Sequence, residues 1–415
     1  MSFININITK LKLIHYLIIF VVIIISDDTF NFGTNENLIY INIKYYIYLL
    51  LTLYLLVYSK FRFTNKLTKP VLFLFLISFS VLISAVVNLD YSGGYIYQIW
   101  LYLISFLIFY SFPFPIFISV YLRFIYILSV ISLLGFTIVN IFPSLIEVFP
   151  VQLNSAGATI YNFGFCVFLG GGSFFRNTSI FREPGVFMIY LNIAIIFELF
   201  YNNMISKRYL LVFLITSLTT FSTAGFITIL ILILAFLFKK NNNISYFKSK
   251  GFIIFFLGIS LLIIGLTPPL YNLIFDKLSN DNLDKGSSLA RGISVVANLD
   301  IFIDNFLFGS GLKNYPNLFS DYTLSLTGFS MGIGNNTNTI TTVFAVYGLM
   351  FGCIFIYLLY SISQSFSKSL HVRILILIAL VLMYSNEDLR YSLFSSTLLF
   401  FGLTKRKKLY ENLNN

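Results

Sequence analysis

Charge is what this chain has least of. Of its 415 residues only 10% are Asp, Glu, Lys or Arg, against about 25% in a soluble domain. That excludes an ordinary water-facing surface. Two cysteines and two histidines exclude a disulfide-built scaffold and leave too few ligands for a zinc site. Cys166 and Cys353 stand in unlike surroundings and are expected to remain unpaired. His15 and His371 lie in or beside apolar runs with no ligating neighbour, so neither a metal nor any other cofactor is expected. The Gly309-Ser310-Gly311 run has neither the spacing nor the strand–loop–helix setting of a phosphate loop.

What is abundant is apolar: 58% of residues, with a mean hydropathy of +0.87. Continuous apolar runs of about 18 residues recur, the length a bilayer demands of a helix. Barrel strands are excluded, because they would read as short alternating segments. The expected fold is therefore an all-α polytopic membrane protein, with residues 1–415 forming a single integral membrane domain. Twelve spans are expected, at about 11–25, 38–58, 70–88, 95–111, 115–140, 186–204, 208–221, 224–238, 251–268, 338–361, 371–385 and 391–404. The first run leads into IIISDDTF without a small-residue cleavage site, so it is expected to stay as a span.

Charge sets the orientation. With both termini in the cytoplasm, every Lys and Arg falls on the cytoplasmic side except Lys44, Arg176, Arg182, Lys277, Lys285, Arg291, Lys313 and Arg390. Every acid but Glu198 and Glu411 falls outside. Basic inner loops are the usual signature of orientation and suit an anionic leaflet, so the net charge of +11 implies membrane lipids and no nucleic acid. Two outer segments are long, 141–185 and 269–337. In the first, ATIYNFGFCVFLGG (158–171) reads as a re-entrant or interfacial piece. In the second, SSLARGISVVANLDIFIDN (287–305) suits a helix on the membrane surface. Lys44 is expected to snorkel from the end of the second span. Glu198, inside the sixth span, suits helix packing or a proton relay. Asp388 and Arg390 are expected to pair across a tight turn.

Most of the exceptional cations lie in those outer segments, against the general bias. Arginine offers phosphate a planar, bidentate set of donors. A carboxylate beside it can act as general base toward a hydroxyl. Arg182 and Glu183, with Pro184 and Gly185 after them, fit that chemistry, and equally fit a structural ion pair at a helix start. Arg291 and Lys313 divide in the same way between ligand binding and ordinary surface contacts.

Four segments carry a family resemblance: RNTSIFREPGVF (176–187), TTFSTAGFITILILILAFL (219–237), SSLARGISVVANLDIFIDNFLFGSGLKNY (287–315) and NTITTVFAVYGLMFG (338–352). In order and character they resemble the bacterial O-antigen polymerase and ligase superfamily. The resemblance implies a glycosyltransferase of the bacterial inner membrane, acting on undecaprenyl-diphosphate-linked oligosaccharide at its outer face, alongside a chain-length regulator protein. It implies Arg182 and Arg291 as diphosphate-binding residues, Glu183 as base or orienter, and Arg176, Lys313 and Asn338 as substrate contacts. The ligase branch has a histidine where Thr337 stands here, and many members have an arginine where Ala224 and Gly225 stand. The first departure favours a Wzy-type polymerase of O-antigen or capsular repeat units over a ligase that moves polymer to lipid A core. A flippase of the lipid-linked unit is the third reading, disfavoured because chemistry-capable groups gather in outer loops rather than within the bundle.

Overall fold

The computed structural model describes residues 13–33, 41–59, 68–153, 159–169, 175–202, 205–239 and 285–404, with single helical positions at 251, 254 and 258. The chain is mostly helical. In order it forms α1 (Leu13–Ile24), α2 (Ile41–Ser59), α3 (Thr68–Val87), α4 (Gly93–Ser111) and α5 (Phe114–Ile141). Then come α6 (Pro184–Ile196), α7 (Lys207–Thr219), α8 (Thr223–Phe238), α9 (Lys285–Asp304), α10 (Gly311–Thr327), α11 (Thr339–Phe366), α12 (Leu370–Tyr384) and α13 (Leu393–Phe401). Among the described residues five helices are long and apolar enough to cross a membrane: α3, α4, α5, α11, and α6 with its continuation to Tyr201. Shorter apolar helices lie at α1, α2, α8 and α12. This is a membrane-embedded helical protein. The expected span at 251–268 and the stretch 269–284 lie outside the described residues.

The described chain divides into two compact units. The first takes the described parts of 1–16, 118–289 and 366–383, the second those of 17–117, 290–365 and 384–415.

In the first unit α6 packs against α7 and α8. The α6–α8 approach is close: a Cβ on Gly225 would sit 2.0 Å from Met188 Cγ. Within the stretch 158–171, expected as a re-entrant or interfacial piece, residues 159–169 form a hairpin. Strands β1 (Val151–Leu153), β2 (Thr159–Asn162), β3 (Val167–Leu169) and β4 (Arg176–Asn177) form an antiparallel sheet in that order. The reason is local. Gly164 takes φ +72°, and its amide donates to Asn162 Oδ1 at 3.0 Å, an Asx turn of the kind asparagine and glycine favour. Val139 of α5, Ile146, Cys166 and Phe168 make the core beneath the sheet. Cys166 and Cys353 are both free thiols.

Glu198 lies in a π-helical turn, Phe197–Tyr201, that extends α6. Its carboxylate accepts from Asn202 Nδ2 at 2.7 Å and from the Ser206 amide, tying the turn to the start of α7.

In the second unit α4 is the hub, packed on α2, α3 and α13. Aromatic contacts from Phe114, Phe117 and Phe106 onto Phe400 and Phe401 fill the α13 side. Lys44 does not snorkel. It is buried, ion-paired to Asp27 at 2.9 Å, and donates to the Gly33 carbonyl at 2.6 Å. Ion pairing and hydrogen bonding together satisfy the buried ammonium.

Candidate functional site

The four segments that carry the resemblance pair off, two in each unit. In the first unit 176–181 is a tight turn pinned by Asn177. Its Nδ2 donates to Ser132 Oγ at 3.2 Å and Thr219 Oγ1 at 2.9 Å, and its Oδ1 accepts from the Ser179 amide. Ser179 sits at φ +53°. Arg176 donates from Nε to the Thr220 carbonyl at 3.1 Å and from Nη2 to the Phe221 carbonyl at 3.2 Å. Those are carbonyls at the end of α7, which have no partner within the helix. Arg176 is thereby drawn into a joint between the first two segments, and Asn177 and Met188 complete it.

That joint places Arg182 and Glu183 at the mouth of α6. Both are half-buried. Glu183 is the N-cap residue, in extended conformation, with Pro184 in the first turn. A carboxylate is stabilised there by the helix dipole, and proline fits where no amide partner is needed. Among the described residues Glu183 makes no ion pair, and its side chain makes no cap hydrogen bond. The structural ion pair with Arg182, one of the two readings of this dipeptide, does not form.

In the second unit the Phe308-Gly309-Ser310-Gly311 turn docks into a kink of α11. Gly348 breaks the helical path at φ +79°, ψ −171°. The Ser310 amide donates to the Ala345 carbonyl at 2.8 Å, and the Leu349 amide to the Phe306 carbonyl at 3.0 Å. From α3, Asn88 Nδ2 donates to the Gly309 carbonyl at 3.1 Å and Ser84 Oγ to the Val346 carbonyl at 3.1 Å. α10 begins directly after the turn. Asp90 accepts the Lys313 amide at 2.7 Å and the Tyr95 hydroxyl at 3.0 Å, while that hydroxyl accepts the Leu312 amide. Burial works to raise the Asp90 carboxyl. The Lys313 and Ser92 amides and the Tyr95 hydroxyl outweigh it and hold the group below its ordinary range. The Lys313 side chain itself is exposed.

Beside this joint lies a polar network with little sequence signal. Asn298 on α9 donates from Nδ2 to Asn336 Oδ1 (3.2 Å), Thr341 Oγ1 (3.1 Å) and Thr342 Oγ1 (3.2 Å). It accepts from the Tyr315 hydroxyl at 2.7 Å. Asn336 Nδ2 donates to Tyr315 and Thr342, each at 2.7 Å. Asn338 is buried and caps α11, its Oδ1 accepting from the Thr341 amide at 2.9 Å, so that oxygen is committed to the helix. Arg291 is half-buried on α9, three and seven residues before Ser294 and Asn298. Helical spacing puts it on their face, one turn nearer the helix start.

On the other side of Tyr315 is Arg390. Its guanidinium binds Asp388 through Nε and Nη2, the shortest contact 2.7 Å, and lies 5.6 Å from the ring centroid of Tyr315 and 5.5 Å from that of Tyr391. Burial tends to discharge the guanidinium, and Asp388 overrides that and raises its pKa further. Burial also pushes the Tyr315 hydroxyl up to about 12. The expected pairing across the 387–391 turn is present, and it is part of a larger buried network. Among the described residues no group of His, Cys, Asp and Glu is arranged to hold a metal ion. The expected site residues thus divide, with Arg176, Arg182 and Glu183 in the first unit and Arg291, Lys313 and Asn338 in the second. In comparisons with known proteins, no family model, curated protein or solved structure matches this chain.

Proposed function

We propose that this protein joins undecaprenyl-diphosphate-linked oligosaccharide repeat units at the outer face of the bacterial inner membrane, as an O-antigen or capsular polysaccharide polymerase does. The observation that carries the reading is the pairing of the resembling segments. The first two, and the last two, each meet in a packed joint, and each pair holds an arginine beside its joint: Arg182 by the first and Arg291 on the helix leading to the second.

In this reaction an acceptor hydroxyl attacks the anomeric carbon of a second lipid-linked unit. A C–O bond forms there, the C–O bond to the diphosphate breaks, and the hydroxyl proton passes to a base. Undecaprenyl diphosphate leaves with both electrons of the broken bond. Arg182 and, by the resemblance, Arg291 of the other unit are the candidate diphosphate-binding residues, and Glu183, half-buried at the start of α6, is the candidate base. A single displacement inverts the anomeric centre. Arg176 contributes by fixing the turn from which Arg182 and Glu183 project.

The topology that goes with this reading has twelve spans, both termini in the cytoplasm, and 141–185 and 269–337 outside. Ser330 and Ser369 are exposed. A Ser330→Cys variant should react with a membrane-impermeant thiol reagent in whole cells, and Ser369→Cys only after lysis. The reverse pattern would overturn the orientation.

The function itself is tested by deleting the gene in a strain that makes lipopolysaccharide. Loss of a polymerase should leave core carrying a single repeat unit and no ladder. Long polymer stranded on the lipid carrier, with bare core, would make the protein a ligase. Single lipid-linked units trapped inside, again with bare core, would make it a flippase.

A further inference from the structure

The end of α5 and the sheet beside it form one continuous apolar lip. α5 has 28 residues, about 42 Å at 1.5 Å per residue, while the hydrocarbon core of a bilayer is about 30 Å thick. Its lipid-facing stripe is nevertheless apolar to the last residue: Ile127, Ile131, Leu134, Ile138 and Ile141 are all exposed, at helical spacing. The exposed apolar surface then continues through Phe142, Leu145 and Val148, the last 77% exposed. It ends at the β2–β3 turn, where Phe163 (60%) and Phe165 (55%) stand on either side of Gly164. The ring of Phe163 rests 4.4 Å, centroid to centroid, from that of Phe149, which joins the turn to the 3-10 segment after α5.

These side chains are not a failed core. The core of this region is on the opposite face: Val139, Ile146, Cys166 and Phe168 are buried together. A Cβ on Gly135 would meet Cys166 Sγ at 2.9 Å and Phe168 Cζ at 3.2 Å. The sheet is therefore held tightly on α5, and its orientation is fixed. Charge agrees. Between Arg123 and Arg176 the sequence holds one charged residue, Glu147, which is exposed. A water-facing surface of that extent would carry many more.

We propose that this lip is a membrane-docking surface: the tip of the β2–β3 hairpin, Phe163 and Phe165, seats in the lipid interface at the end of α5, in line with its stripe. The partner is the lipid surface, because the exposed apolar band is continuous with the flank of a membrane-length helix. Aromatic side chains favour that depth, and a short amphipathic element lies stably there. The inference rests on membrane embedding alone and stands whether or not the protein is a polymerase.

Trp100 is the only tryptophan, so the tip can be given its own probe. Full-length Trp100→Phe/Phe163→Trp protein is reconstituted in phosphatidylcholine–phosphatidylglycerol vesicles, with and without bromines high on the acyl chains. Phe165→Trp serves as the second variant. The tip tryptophan should emit to the blue of an aqueous indole, lose most of its emission to brominated lipid, and resist iodide. Ready iodide quenching with no bromine effect would place the tip in water and overturn the proposal. Protection from both quenchers would overturn it as well, and would assign the lip to a protein partner.

Discussion

Replacing Gly348 with alanine should abolish recovery of folded protein. Gly348 holds φ +79°, ψ −171°, a region essentially closed to residues with a Cβ, at a cost of about 1–3 kcal/mol. Steric overlap adds to that strain. A Cβ there would lie 2.3 Å from the Leu307 carbonyl oxygen and 2.6 Å from the Gly309 amide nitrogen. Both are backbone atoms, so no rotamer change relieves the overlap, and overpacking adds about 1–3 kcal/mol or more. The neighbouring bonds, Ser310 amide to Ala345 and Leu349 amide to Phe306, would be pulled apart with it. Gly309→Ala should behave alike, since its Cβ would meet the Val346 carbonyl at 2.3 Å. Gly332→Ala is the control: its φ is −71° and nothing lies near. Monodisperse yield and thermal melting in detergent make the measurement. A Gly348→Ala protein as abundant and stable as Gly332→Ala would show that the crossing of turn and kink is dispensable.

The Gly309–Gly348 crossing shows where sequence reading stops. Each glycine is visible inside a segment singled out for other reasons, but their contact spans a long stretch of chain and leaves no local mark. Helices are legible because bilayer-length apolar runs have one reading; α3, α5 and α11 fall within a few residues of the expected spans. The sheet is hidden because its strands are two to four residues long and sit within apolar sequence too short to span. The Asn162-Phe163-Gly164 turn is the available signal. Arg390 and Asp388 can be paired from spacing, two residues apart. The Asn298–Tyr315–Asn336 network cannot, because carboxamides in a polar-looking stretch are as easily solvated as buried. Lys44 misleads for a related reason: a lysine at the end of an apolar run usually reaches for water, and only the fold reveals Asp27 waiting 2.9 Å away.

If the proposed polymerase reading holds, Arg182→Lys and Arg291→Lys should each lose most activity, by about 10²-fold or more, while the protein accumulates normally. The magnitude is that of removing one aimed donor from developing charge. Lysine keeps the charge but not the planar fork that grips two phosphate oxygens. Arg176→Lys separates structural from chemical roles. Arg176 spends two nitrogens on the Thr220 and Phe221 carbonyls, and an ammonium cannot hold both in that geometry. Its loss should appear as a lower melting temperature and reduced yield, with activity per folded molecule largely kept. Glu183→Gln retains the shape of the helix cap but cannot accept the acceptor's proton, so turnover should fall while affinity for the lipid-linked unit stays. Purified protein in vesicles, given lipid-linked repeat units from the host, supplies all of these readouts. Full polymer from both Arg182→Lys and Arg291→Lys would reduce the requirement to bare positive charge and remove the bidentate clamp. Unchanged turnover in Glu183→Gln would remove Glu183 as the base and leave it only the helix start it caps.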